Sequence, residues 1–188
     1  MYVVSITYDV SSGKTDFGPQ LSGLAKSDRT IVAWDPPGYG HSRPPDREFT
    51  TGFFQKDAAL SHALMKNLGF DQYSVLGWSD GGITGLILAA TEPGAVLKLV
   101  VWGSNAYVGE TDLKLYESIR DLSKWSEKMK APFLELYGLE YFEKTWNAWV
   151  DAFWRYIFVI SKLSEACFMA CEKVASLFAR AFRPADTN

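Results

Sequence analysis

The sequence predicts an α/β protein, a small parallel sheet with flanking helices followed by a helical cap and a long amphipathic C-terminal helix. Three observations predict it. Short apolar runs at 3–8, 30–34, 73–77 and 97–102 alternate with helical periodicity at 53–68 and 80–90 over short connections, as strands joined by crossover helices do. Beyond Tyr107 the strand pattern stops and helical periodicity takes over. Finally, residues 73–87 (Tyr-Ser-Val-Leu-Gly-Trp-Ser-Asp-Gly-Gly-Ile-Thr-Gly-Leu-Ile) read as a strand, a Gly-x-Ser-x-Gly turn and a helix.

Taken in order, residues 3–8 are the first strand. The loop after it contains Gly13-Lys14-Thr15, but a phosphate-binding loop needs a glycine where Tyr8 stands and a helix at once after, so nucleotide binding is not expected. The run at 30–34 (Thr-Ile-Val-Ala-Trp) has the continuous apolar character of a strand buried on both faces. Residues 35–45 hold four prolines and two glycines and must be loop. The helix at 53–68 turns Phe54, Ala58, Met65 and Leu68 toward the sheet, and the one after Ser79 does the same with Ile83, Leu86, Ile87 and Ala90. Helices are expected over 111–130, 132–138 and 140–182, with Trp125, Trp146, Trp149 and Trp154 scattered along them. The resulting division is a core at 1–110, a cap at 111–152 and a tail at 153–188. In the tail, Ile157, Ile160, Leu163, Cys167, Ala170, Val174, Phe178 and Ala181 recur three and four apart, the stripe of an amphipathic helix. Such a helix covers bare sheet, binds a partner or membrane surface, or is unselected sequence.

A chain of 188 residues supports one domain with a sizeable core. Its net charge of −3 gives no reason to expect nucleic acid or an anionic membrane as partner. Charged residues such as Arg155, Lys162, Glu165, Glu172 and Lys173 interrupt the apolar stretch at 153–182, so no transmembrane segment of ~20 residues is expected. Cys167 and Cys171 lie four apart on a predicted helix, poorly placed for a disulfide; they argue for a reducing compartment or for nothing. Residues 1–10 lack the marks of an export or import leader. The 15% aromatic content suits either an apolar ligand pocket or the greasy face of a helical lid.

Ser79 is the candidate for the chemistry, the alternative being a plain glycine-rich turn with an idle serine. A strand that turns at once into a helix strains the residue at the turn, and small neighbours two before and two after make the turn possible. Gly77 and Gly81 meet that need, and Gly82 adds slack. The helix from Asp80 points free N–H groups and a positive dipole end at the place where an oxyanion would form. Asp80 N–H is therefore a candidate oxyanion donor, and its carboxylate, at a helix N-terminus, is expected to stay ionised. The plainer reading of Asp80 is that it merely complements the helix dipole.

Several stretches together resemble the valacyclovir hydrolase-like (biphenyl hydrolase-like) family of the α/β-hydrolase superfamily. They are residues 14–21, 32–36, 38–47 (Gly-Tyr-Gly-His-Ser-Arg-Pro-Pro-Asp-Arg), 76–84 (Leu-Gly-Trp-Ser-Asp-Gly-Gly-Ile-Thr), 119–121 and 123–127. The resemblance runs from about Gly13 to about Asp151. It implies a partial α/β-hydrolase fold and a serine esterase for α-amino acid esters: Ser79 as nucleophile, Asp80 as oxyanion donor and counter-ion to the substrate ammonium, Trp78 beside it in substrate binding. It implies no metal and no cofactor, and a mitochondrial place for the intact family; with no leader visible, the cytoplasm is the other expectation.

Both ends depart from that pattern. Residues 1–11 do not match the family's strand and proline-glycine loop, and nothing after about Phe153 matches the strands whose loops carry the catalytic aspartate and histidine. The chain holds two histidines, His41 and His62, both before Ser79. His41, on a loop after a strand, is a possible surrogate base; His62 reads as a helix-surface residue. The expectation is a truncated or variant esterase with little activity or, alternatively, a catalytically silent interaction or small-molecule-binding protein. The strand at 97–102, without a further neighbour, is expected to be an exposed edge through which copies can associate.

Overall fold

The computed structural model describes residues 3–6, 17–24, 29–105 and 108–156. Four strands, β1 (Val3–Ile6), β2 (Ile31–Trp34), β3 (Tyr73–Trp78) and β4 (Val96–Trp102), form one parallel sheet in the order β2-β1-β3-β4. Their register brings Ile6 beside Gly77 and Trp78 beside Trp102, so the strand ends line up along one rim. From β1 the chain steps to β2 on one side and then to β3 on the other. Such a reversal opens a crevice at the carboxyl ends of the strands, where open α/β sheets bind ligands.

Helices α1 (Gly18–Leu24), α2 (Phe53–Asn67) and α3 (Asp80–Thr91) accompany the sheet. α3 lies against β1, β3 and β4 and packs on α2. It buries Ile83, Ile87 and Leu88, each worth ~1.5–3 kcal/mol relative to exposure. Gly85 permits the close approach, since a Cβ there would sit 3.1 Å from Leu99 Cδ1 and 3.2 Å from Val75 Cγ1. α2 buries Phe54, Ala58 and Met65 as expected, and also Phe53, Asp57 and Ser61. Leu68 is not on that face: it caps the helix and is half exposed.

The cap consists of α4 (Glu110–Ser118), a 3₁₀ turn (Leu122–Lys124), α5 (Glu127–Tyr137) and α6 (Leu139–Tyr156). The helix expected over 111–130 is therefore broken. Asp121 accepts from the Ser123 N–H and starts the 3₁₀ turn, and Ser126 accepts from the Met129 N–H and starts α5, both residues favouring such caps over helix interiors. Pro132 lies inside α5 rather than at its boundary. Three of the four cap tryptophans, Trp125, Trp146 and Trp149, are not scattered, while Trp154 is half exposed. Phe142, Trp146, Trp149 and Phe153, spaced four, three and four apart, share one buried face of α6 and join Trp125, Phe133 and Tyr116 in a chain of ring contacts.

The 35–47 loop is bound to this cap. Gly40 N–H donates to Tyr137 Oη at 2.6 Å, Tyr141 Oη donates to the Gly38 carbonyl at 2.7 Å, and Arg47 N–H donates to Tyr141 Oη at 2.8 Å. Arg43 stacks over both tyrosine rings. Underneath, the buried Arg47 guanidinium makes two hydrogen bonds to Asp57 (3.1 and 2.6 Å) and lies against Tyr39, Phe49 and Phe53.

β2 differs from its expected burial on both faces: it is an edge strand and half-buried, with Ala33 exposed, among the described residues. β4 is the other edge, as expected, and exposes Leu97 and Val100. Among the described residues no helix is long and apolar enough to cross a membrane, and no cluster of three or more potential metal ligands occurs. The expected tail helix beyond Tyr156, the two cysteines and Gly13-Lys14-Thr15 lie outside the described residues.

Candidate active site

β3 ends at Trp78 and α3 begins at Asp80, leaving one residue to reverse the chain. That residue, Ser79, adopts φ 54° and ψ −128°, the one non-glycine residue with positive φ among those described. Such a conformation costs on the order of 1–3 kcal/mol and persists only where its surroundings enforce it. They do so here through Ser79 N–H donating to the Trp102 carbonyl (3.1 Å) and through the Ser104 hydroxyl and Gly82 N–H donating to the Ser79 carbonyl (2.7 and 2.9 Å). A Cβ on Gly77 would stand 2.6 Å from the Gly81 carbonyl oxygen and 2.7 Å from Gly82 Cα. Gly82 is more than slack: a Cβ there would overlap the Ser104 hydroxyl that braces the turn.

Beside Ser79 a cavity of about 270 Å³ opens between the sheet rim and the cap. Asp80, Asn105, Tyr116, Ile119, Trp146 and Trp149 line it together with Ser79. Asp80 is 3% exposed, and its Oδ2 accepts a 2.6 Å hydrogen bond from the Trp149 indole N–H. Burial pushes its carboxyl up to about 7, while the Trp149 hydrogen bond and the Arg47 charge pull it down and the Asp57 carboxylate adds to the rise. This corrects the expectation that the group simply stays ionised: desolvation outweighs the Trp149 hydrogen bond and the Arg47 charge.

The other expected residues fall elsewhere. Trp78 is half-buried, with its indole nitrogen against Gly103, and is not among the residues lining the cavity. His41 has a side chain 75% exposed, with Nδ1 3.4 Å from Asp35 Oδ2. His62 is not a plain surface residue: its Nδ1 lies 2.7 Å from Tyr73 Oη and its Nε2 3.7 Å from Glu92, at the opposite end of β3 from Ser79. The described lining residues include no histidine. Sequence reasoning missed Trp146 and Trp149 as cavity walls, although their shared helix face was readable from the spacing.

A sequence model of the alpha/beta hydrolase fold family matches residues 12–151. The chain is 57% identical over 142 residues to the human protein named serine hydrolase BPHL and 58% identical over the same length to its mouse counterpart. These alignments cover 76% of this chain and 49% of each relative, so the chain spans about half the length of the curated relatives it matches. Among solved structures, NosK from Streptomyces actuosus superposes with a TM-score of 0.65 at 21% identity, over 82% of this chain and 65% of that one. That likeness speaks to the fold alone.

Proposed function

Because the chain belongs to the α/β-hydrolase fold family, we propose that its site is that of a serine hydrolase for α-amino acid esters, with Ser79 as nucleophile. The observation that carries this is one cavity that joins a serine held at φ 54° on a strand-to-helix turn with a carboxylate buried on the next residue. In this reading Ser79 Oγ attacks the ester carbonyl, the alcohol leaves, and water releases the acyl group from the serine. The developing oxyanion is met by the N–H groups and positive end of α3, the Asp80 N–H first among them. The Asp80 carboxylate takes the substrate's α-ammonium group in a charge-assisted hydrogen bond, and the aromatic wall receives its side chain.

The Ser79 proton must pass to a base, and here the 188-residue chain is poor. Its two histidines are His41, turned to Asp35 at the surface, and His62, engaged by Tyr73. Without a base the turnover of this chain is expected to fall on the order of 10⁶ below that of a complete triad, by analogy with serine proteases. The absence of histidine from the described cavity lining favours a second reading, binding of α-amino esters without turnover. Hydrolysis of L-valine p-nitrophenyl ester by wild type and Ser79→Ala tests both. Near-equal slow rates are expected; a fast, Ser79-dependent rate would instead mean that a base is at hand.

A further inference from the structure

We propose that Trp149 is a positioning residue, its indole N–H fixing the Asp80 carboxylate in the orientation and ionised form that receives a ligand's ammonium group. This rests on the reading of Asp80 as that group's counter-ion. Trp149 comes from the cap and Asp80 from the elbow helix, and both face the cavity beside Ser79. Their 2.6 Å contact is buried on both sides, with Trp149 4% and Asp80 3% exposed. It is the one direct side-chain hydrogen bond to this carboxylate among the described residues.

The indole cannot swing away. Trp146 stacks on it at 4.9 Å, while Tyr116 and Phe153 meet it edge-on at 5.0 and 4.7 Å. Neighbouring indoles show what a merely structural choice looks like here: Trp125 and Trp146 both donate to the backbone carbonyl of Ile119. Trp149 alone of the three spends its N–H on a carboxylate in the cavity wall. An indole nitrogen is a donor only, so it bonds the charged acid more strongly than the neutral one.

The remaining charges near Asp80 are fixed by other duties. Arg47 attracts it but is held by Asp57, whose own carboxylate repels it. Asp112 of α4 lines the same cavity and uses Oδ2 to accept from the Gly109 N–H. Ligand ammonium binding is therefore set by Asp80 and tuned by Trp149.

The test is NMR titration of the 188-residue chain with L-valinol, whose amine stays charged well above neutrality, and with 3-methylbutan-1-ol, which lacks the amine. Wild type is expected to prefer L-valinol, with binding that strengthens as pH rises through about 7. Trp149→Phe should move that midpoint up by about one unit and weaken L-valinol binding about fivefold at neutral pH, leaving the alcohol unaffected. Unchanged midpoint and affinity in Trp149→Phe would overturn the proposal. A measurement on the unaltered indole guards against misfolding: the Trp149 N–H resonance should shift with pH through the same midpoint in wild type and lose that shift in Asp80→Asn. A pH-independent resonance in wild type would also overturn it. If Asp80→Asn keeps the preference for L-valinol, the counter-ion reading fails and this inference with it; if only the Trp149 results fail, that reading stands.

Discussion

The seam between the 35–47 loop and the cap and the cavity beside Ser79 are built from similar residues to opposite ends. In the seam Tyr137 and Tyr141 serve backbone groups of Gly38, Gly40 and Arg47, and the buried Arg47 meets Asp57 through two hydrogen bonds. At the cavity Asp80 is equally buried yet meets one indole N–H, and Ser79 holds a strained backbone. One region satisfies its buried charge and stabilises the fold. In the other, burial pushes the Asp80 carboxyl up to about 7, so that its ionised form costs stability; under the proposed function that charge serves binding.

The comparison breaks most readily at Arg47. Arg47→Ala strips Asp57 of its partner in a site 2% exposed and should cost ~3–5 kcal/mol in a urea melt. A loss below about 1 kcal/mol would show that the seam is not the stabilising half. Asp80→Asn should have the reverse sign. A carboxyl raised to about 7 in the folded state binds its proton more tightly there than in the unfolded chain. Wild type should therefore lose stability as pH climbs from about 4 through 7, and the asparagine variant should not. At pH 8 the variant is expected to be more stable by on the order of 1–3 kcal/mol; melts at pH 4 and 8 check this.

Smaller effects sharpen the picture. Tyr141→Phe removes the hydroxyl that donates to Gly38 and accepts from Arg47, and a loss of ~1–2 kcal/mol is expected in the same melt. Lys144→Ala removes an exposed ion pair with Asp46 across the seam. Exposed pairs contribute little, so its melting curve should overlay wild type.

The elbow was legible in the sequence because its physics is local: a strand, a helix and glycines at fixed offsets leave Ser79 one conformation. Gly82 was underrated because the side chain it clears, Ser104, belongs to the next strand's end. The seam was invisible for the same kind of reason, since Tyr137 and Tyr141 reach glycines 97 and 103 residues away. Asp80 shows the limit most clearly. Its place at a helix start was readable, but neither its burial, which pushes its carboxyl up, nor the hydrogen bond from Trp149 of the cap, which pulls it down, could be read from local sequence. Leu68 and β2 failed for want of knowing what covers each face: periodicity tells which residues share a side, not how far the neighbouring layer extends.

The most direct measurement is active-site labelling of the cooperatively folded chain with a fluorophosphonate probe, using Ser79→Ala as control. Ser79, held at the elbow without a histidine in the described cavity lining, is expected to label no faster than the control background. Rapid labelling that vanishes in Ser79→Ala would contradict it and show that the chain supplies a base, with His41 the first residue to substitute.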